Sequence, residues 1–184
     1  YDTSGAANFL SEKFDAPVFI HPDASNSLIS NDQLTTWASR YDSDMPVTET
    51  IPLTEGWEMN LGGGSIRCIY TPGHTKCHSS FFIPELSILF AGDLIPSPEY
   101  PGRTDFPTGN IPEMLDSIEK IIVLNPNVIV PSRGKTIRNE EVQKVLQKHR
   151  DFFISLKENL GELPENWPKP TTTCMWWSPN PKWE

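Results

Sequence analysis

This 184-residue chain is short of cysteine, of basic residues and of long apolar runs, and each shortage removes a class of function. Its three cysteines, Cys68, Cys77 and Cys174, are odd in number and irregularly spaced. They make neither a disulfide framework nor a CxxC zinc site, and read as free thiols in a reducing compartment. Lys plus Arg number 15 against 24 Asp plus Glu, a net charge of −9 with no basic run. Nucleic acid therefore finds no electrostatic footprint, and an anionic membrane surface is disfavoured. No apolar stretch approaches the roughly 20 residues of a transmembrane helix, which leaves a soluble domain as the expectation. There is no Asn-x-Ser/Thr site and no signal-peptide pattern. The chain opens on Tyr1 in what reads as the start of a helix, so we expect a segment removed or a sequence that begins partway through a longer product.

Proline, by contrast, is plentiful at eighteen residues, which predicts many loops and few long elements. The length suits one domain with a real core. Thr3 or Ser4 could cap a helix through Phe14 with Ala7, Phe9, Leu10 and Phe14 as its apolar set. Ala16 to His21 reads as a buried strand, and Asp23 to Ile29 and Asn31 to Arg40 as helical stretches. Strands are predicted over Val47 to Leu53, Trp57 to Leu61, Ser65 to Tyr70, Ser79 to Ile83 and Leu86 to Phe90. Leu94 to Thr108 is too proline-rich for regular structure. Ile111 to Leu124 has a helical period, Asn127 to Pro131 is one more strand, and Glu140 to Leu160 is an amphipathic helix. Beyond Gly161 lies a tail rich in proline and tryptophan. The order is that of a mixed, layered α/β protein.

The stretch from Tyr70 to Ile95 carries the chemistry. His74 stands in a Pro-Gly turn after one apolar run, and Asp93 closes the next run in a Gly-Asp pair. Two metal-capable side chains delivered to loop ends by strands suggest a hydrolytic metal centre. TPGHT, HSS, ILFAGDLI, GRTDFPTGN and NVIVPSRG, in that order before a long helix, resemble the metallo-β-lactamase superfamily. The opening segment to Ala24 is similar to the stretch just after that family's HxHxDH signature, and the resemblance runs to about Leu160.

The resemblance implies an αββα sandwich seen from its first helix onward, without the N-terminal strands, over residues 1–160, with 161–184 as a tail. It also implies a metal site at the sandwich edge. His74 matches the TPGH histidine, Asp93 the bridging aspartate and Asp2 the aspartate of the DH pair. Thr3 and Arg133 stand where the family has histidines, and the HxH pair would precede Tyr1. A hydroxyl is a poor substitute for imidazole, and a guanidinium brings positive charge to a cation site. At most one zinc is then expected. Arg133 could replace metal charge by contacting carboxylates.

Other residues have plainer readings. The resemblance implies that His78 packs or bonds beneath the site and that His21 is structural, while His149 reads as a solvated helix residue. Asp93 could instead cap backbone donors in the loop after it. Cys77, beside His78, invites a Cys-His nucleophile, but relaxed constraint on a loop without metal explains it better. Arg103 and Asp105 are candidates for a substrate loop or for a pair with each other, and the pair is favoured. Trp176 and Trp177 in the tail could meet a neighbour or fold back. The expected function is a metallo-β-lactamase-like protein with an incomplete metal site, impaired as a catalyst and serving as a binding or structural subunit. A second chain or an upstream segment would cover the missing strands. The alternative is a single-zinc hydrolase of small esters or thioesters, completed by upstream histidines.

Overall fold

Prolines and left-handed turn residues cut the first part of the chain into short elements. The computed structural model describes residues 3–159, 164, 165 and 167, with Arg40 described by its backbone alone. These fall into two units, Tyr1–Thr54 and Glu55–Glu184.

In the first unit, helix α1 (Ala7–Phe14) ends at Asp15, whose φ of 49° lets its N–H turn back to Ser11. Neither Thr3 nor Ser4 caps α1 by side chain; the Ser4 carbonyl accepts from Ala7 N–H at 3.0 Å. The apolar set of α1 faces outward, with Phe9 60%, Leu10 48% and Phe14 64% exposed. Strand β1 (Phe19–Ile20) leads into α2 (Pro22–Ile29), which starts on a proline that needs no N–H partner. His21 caps α2 by accepting the Asp23 N–H at Nδ1, 3.1 Å, so its role is structural as expected. The helix predicted over Asn31 to Arg40 shrinks to a 3₁₀ turn, Ala38–Tyr41, because Trp37 (φ 61°) and Asp42 (φ 49°) are left-handed on either side. Of the strand predicted over Val47 to Leu53, only β2 (Ile51–Pro52) pairs, in parallel with β1. Leu28, Ala38 and Met45 form this unit's core, with Ile20 against them.

Among its described residues the second unit has a six-stranded sheet and two α-helices. Strands β3 (Glu58–Asn60), β4 (Ser65–Tyr70), β5 (Ser79–Ile83) and β6 (Ile88–Gly92) run antiparallel in order. Helix α3 (Ile111–Leu124) then returns the chain so that β7 (Val128–Pro131) lies parallel to β6. Such a crossover needs a helix-length connection, which α3 supplies. A short β8 (Ile137–Arg138), which hydrophobic patterning missed, closes the sheet before α4 (Glu140–Glu158).

Alternation sets the core. Leu89, Ala91 and Ile129 point to one face, where Met114, Ile118 and Ile121 of α3 and Val142, Leu146, Phe153 and Leu156 of α4 meet them. Arg150 of α4 pairs with Glu119 of α3 across the helix–helix contact. His149 corrects its expected solvated role: it is wholly buried, falling on the same stripe as Val145 and Phe152. Trp167 packs on that stripe, 4.8 Å from Phe152 between ring centroids. Trp176, Trp177 and Cys174 lie outside the described residues. No helix of the described residues is long and apolar enough to cross a membrane.

Candidate metal centre

Four loop segments of the second unit meet at the ends of β4, β6 and β7. The first is the Thr71–His78 turn, held down on α3. Asn110 N–H donates to the Gly73 carbonyl at 2.8 Å, and Ser117 Oγ to the Pro72 carbonyl at 2.7 Å. A Cβ at Gly73 (φ +131°) would stand 2.4 Å from the Met114 backbone, so the turn can lie this close only without a side chain.

The turn aims His74 inward. Its Nδ1 is 2.8 Å from the Arg103 carbonyl, which requires the proton on Nδ1. Nε2 then faces Asp93 Oδ2 at 3.4 Å. Burial lowers the His74 pKa; Asp93 and the Arg103 carbonyl oppose that without cancelling it. A neutral His74 thus turns a lone pair toward a carboxylate, so the contact is two acceptors facing each other.

Asp93 is delivered by the Gly92 turn. A Cβ on Gly92 (φ +54°) would come within 2.7 Å of His78 Nε2. That clearance lets His78 Nε2 accept the Asp93 N–H at 3.0 Å, and its Nδ1–H therefore donates toward the Thr71 carbonyl at 3.0 Å. Both nitrogens are engaged beneath the site, and burial, with His74 beside it, pushes the His78 pKa to about 4. His78 orients Asp93 and has no nitrogen left to serve as a ligand.

The Asp93 carboxylate does not cap the following loop as one expectation had it. Its Oδ1 accepts from Ser132 Oγ at 2.5 Å and from Arg133 Nη1 at 2.7 Å. Burial alone would raise its pKa, but the Ser132 hydrogen bond and the Arg133 guanidinium, joined by His74 when that ring is protonated, hold it below the ordinary carboxylate value. Ser132, in the same PSRG turn as Arg133, was missed by sequence reasoning; only its neighbour's charge had drawn notice.

Arg103 and Asp105 pair with each other, as favoured, Nε to Oδ1 at 2.7 Å. The Arg103 guanidinium is nearly buried and lies over Phe106 at 4.7 Å, while Phe106 meets the His74 ring edge-on at 4.9 Å. This loop fixes His74 through a carbonyl and an aromatic ring. Cys77 is half-buried, with its thiol 3.4 Å from Thr75 Oγ1. Thr3 is an exposed turn residue of the first unit, and Asp2 lies outside the described residues.

A catalytic zinc takes about three protein ligands and an open position. Among the described residues no three His, Cys, Asp or Glu side chains are grouped so that they could hold a metal ion. His74 and Asp93 are two donors, and one carboxylate oxygen already carries a guanidinium. The described residues do not fit such a metal.

Comparison with known proteins bears on the same segments. A metallo-β-lactamase superfamily model matches residues 1–133. A probable metallo-hydrolase of Bacillus subtilis, YqgX, is 29% identical over 134 residues, covering 72% of this chain and 63% of that one. The atrochrysone carboxyl ACP thioesterase of Aspergillus fumigatus is 29% identical over 111 residues, 57% of this chain and 34% of that one. The chain thus spans less than two thirds of either relative's length. In structure it is similar to a metallo-β-lactamase family protein of Thermus thermophilus, with a TM-score of 0.68 at 18% identity, covering 85% of this chain and 58% of that one. With most of its length matched in sequence and its α/β layers matched in fold, the chain belongs to the metallo-β-lactamase superfamily.

Proposed function

We propose that this chain is a hydrolase-fold protein whose site is closed by an internal cation, impaired as a catalyst and serving as a binding or structural subunit. One observation carries the reading: Arg133 Nη1 donates to Asp93 Oδ1 at 2.7 Å, where the superfamily would have a histidine and a metal. A permanently charged guanidinium on the bridging carboxylate repels a second cation and satisfies the charge a metal would. The apolar residues exposed on α1, Phe9, Leu10 and Phe14, are surface for a second chain or further polypeptide to cover.

A second reading has its own observation. His74 Nε2 and Asp93 Oδ2 face each other as acceptors at 3.4 Å, and only a proton or a cation can join them. With histidines from outside this sequence, that pair would serve a one-zinc hydrolase of small esters or thioesters. The thioesterase named among the relatives supports that substrate class.

Turnover of an activated ester and an acyl thioester separates the two readings, using the full natural chain with added zinc. The first reading expects rates that His74→Ala leaves within about twofold. A zinc-dependent rate that falls about 100-fold in that variant, the usual scale for a lost ligand, favours the second.

A further inference from the structure

The apolar stripe of α4 contains a titratable ring with no use in the site. His149 has no solvent exposure, and neither of its nitrogens meets a hydrogen-bond partner among the described residues. Buried polar groups are normally satisfied, so a ring left bare is tolerated only while it stays neutral and sealed from water. Trp167 provides the seal. Its indole meets the His149 ring edge-on at 5.5 Å and Phe152 at 4.8 Å, and Lys148 Nζ lies 4.4 Å from its centre. A turn brings it there, the Trp167 N–H donating to the Pro164 carbonyl at 3.2 Å.

We propose that His149 and Trp167 form an acid-released latch, in which the indole docks on the neutral imidazole and a proton taken from solvent by that ring frees the indole. Of the groups facing His149, the one that carries charge favours release. On its own helix, Lys148 holds an ammonium over the indole and would repel an imidazolium. From the proline-rich loop, the Pro98 carbonyl lies near enough to favour the charged form slightly, but outside hydrogen-bond geometry. Trp167 itself is uncharged. Among the described residues no carboxylate acts on the ring.

Burial holds the docked ring at about 3, whereas an undocked, solvated imidazole titrates near ~6.5. Between those limits the ratio of undocked to docked indole rises about tenfold for each pH unit of acidification.

After 5-fluorotryptophan labelling of the full natural protein, Trp167→Phe assigns the fluorine signal of Trp167 among those of the other tryptophans. The latch predicts that this signal moves to the solvent-exposed position with a midpoint between about pH 6 and pH 4, while circular dichroism stays native. In His149→Phe, which keeps an aromatic ring and loses the proton site, the signal stays docked throughout. If that variant does not fold, His149→Gln gives the same reading with a neutral amide. The latch is overturned if the wild-type signal stays docked to about pH 4, is already exposed at neutral pH, or undocks at the same pH in the non-titrating variant.

Discussion

Gly92 sets how closely the site's turns approach their supports. At its φ of +54°, an added methyl would stand 2.7 Å from His78 Nε2. Gly92→Ala should therefore cost ~1–3 kcal/mol in urea unfolding, from backbone strain and the displaced ring together. Arg133→Ala leaves the ionised Asp93 with Ser132 and without its cation. Because the Arg133 side chain is partly exposed, the expected loss is modest, ~1–2 kcal/mol, and should shrink in high salt. His74 and Asp93 were legible in sequence because Pro-Gly and Gly-Asp turns end apolar runs. Ser132 was not, since a serine beside an arginine carries no period and no ligand spacing. His149 could have been placed correctly: Val145, His149, Phe152 and Phe153 follow the three-and-four spacing of a buried stripe, and its polarity masked its position.

Elements whose ends carry local chemistry were read well. The Asn110 side chain accepts the Glu113 N–H at 3.0 Å and Asn125 turns left-handed at the other end, which gives α3 the bounds its period predicts. Asn110→Ala should cost ~1 kcal/mol in thermal or urea unfolding, and more if the Asn110 N–H to Gly73 contact is also disturbed. β4 and β5 matched likewise, because Gly-Gly-Gly and Pro-Glu turns bound them, and Ile69 and Phe82 pack against the helix-covered core. The stretch from Asn31 to Arg40 failed because local left-handed residues overrode its mixed pattern, and β8 failed because two residues hold no alternation to detect. Helix α4 carries a pH dependence. His149 has a pKa of about 3 while docked, below its unfolded value near ~6.5, so the docked neutral ring's stability is fully present above ~6.5 and falls with pH until the indole undocks. Comparing unfolding free energies of wild type and His149→Phe from pH 7 down to the undocking midpoint should show a wild-type slope steeper by up to ~1.4 kcal/mol per pH unit. Equal slopes would refute this assignment.

At the scale of the molecule, the superfamily fold brings together four turns from distant parts of the second unit, and the residues in those turns decide what it can do. The order of motifs made the fold readable over most of the chain, because strand-turn-strand punctuation survives when ligands change. That Arg133 would contact a carboxylate was legible from the histidine position it holds in the resemblance, whereas the share of Ser132 in the same contact was not. The central claim is that Arg133 is the cation of this site. Its most direct test is the zinc and iron content of the full natural protein, purified without chelator and compared with His74→Ala and Arg133→His. The expected result is metal well below one ion per chain in wild type, unchanged by His74→Ala, with a gain in Arg133→His, where imidazole replaces the guanidinium beside Asp93. About one ion per wild-type chain, lost in His74→Ala, would contradict it.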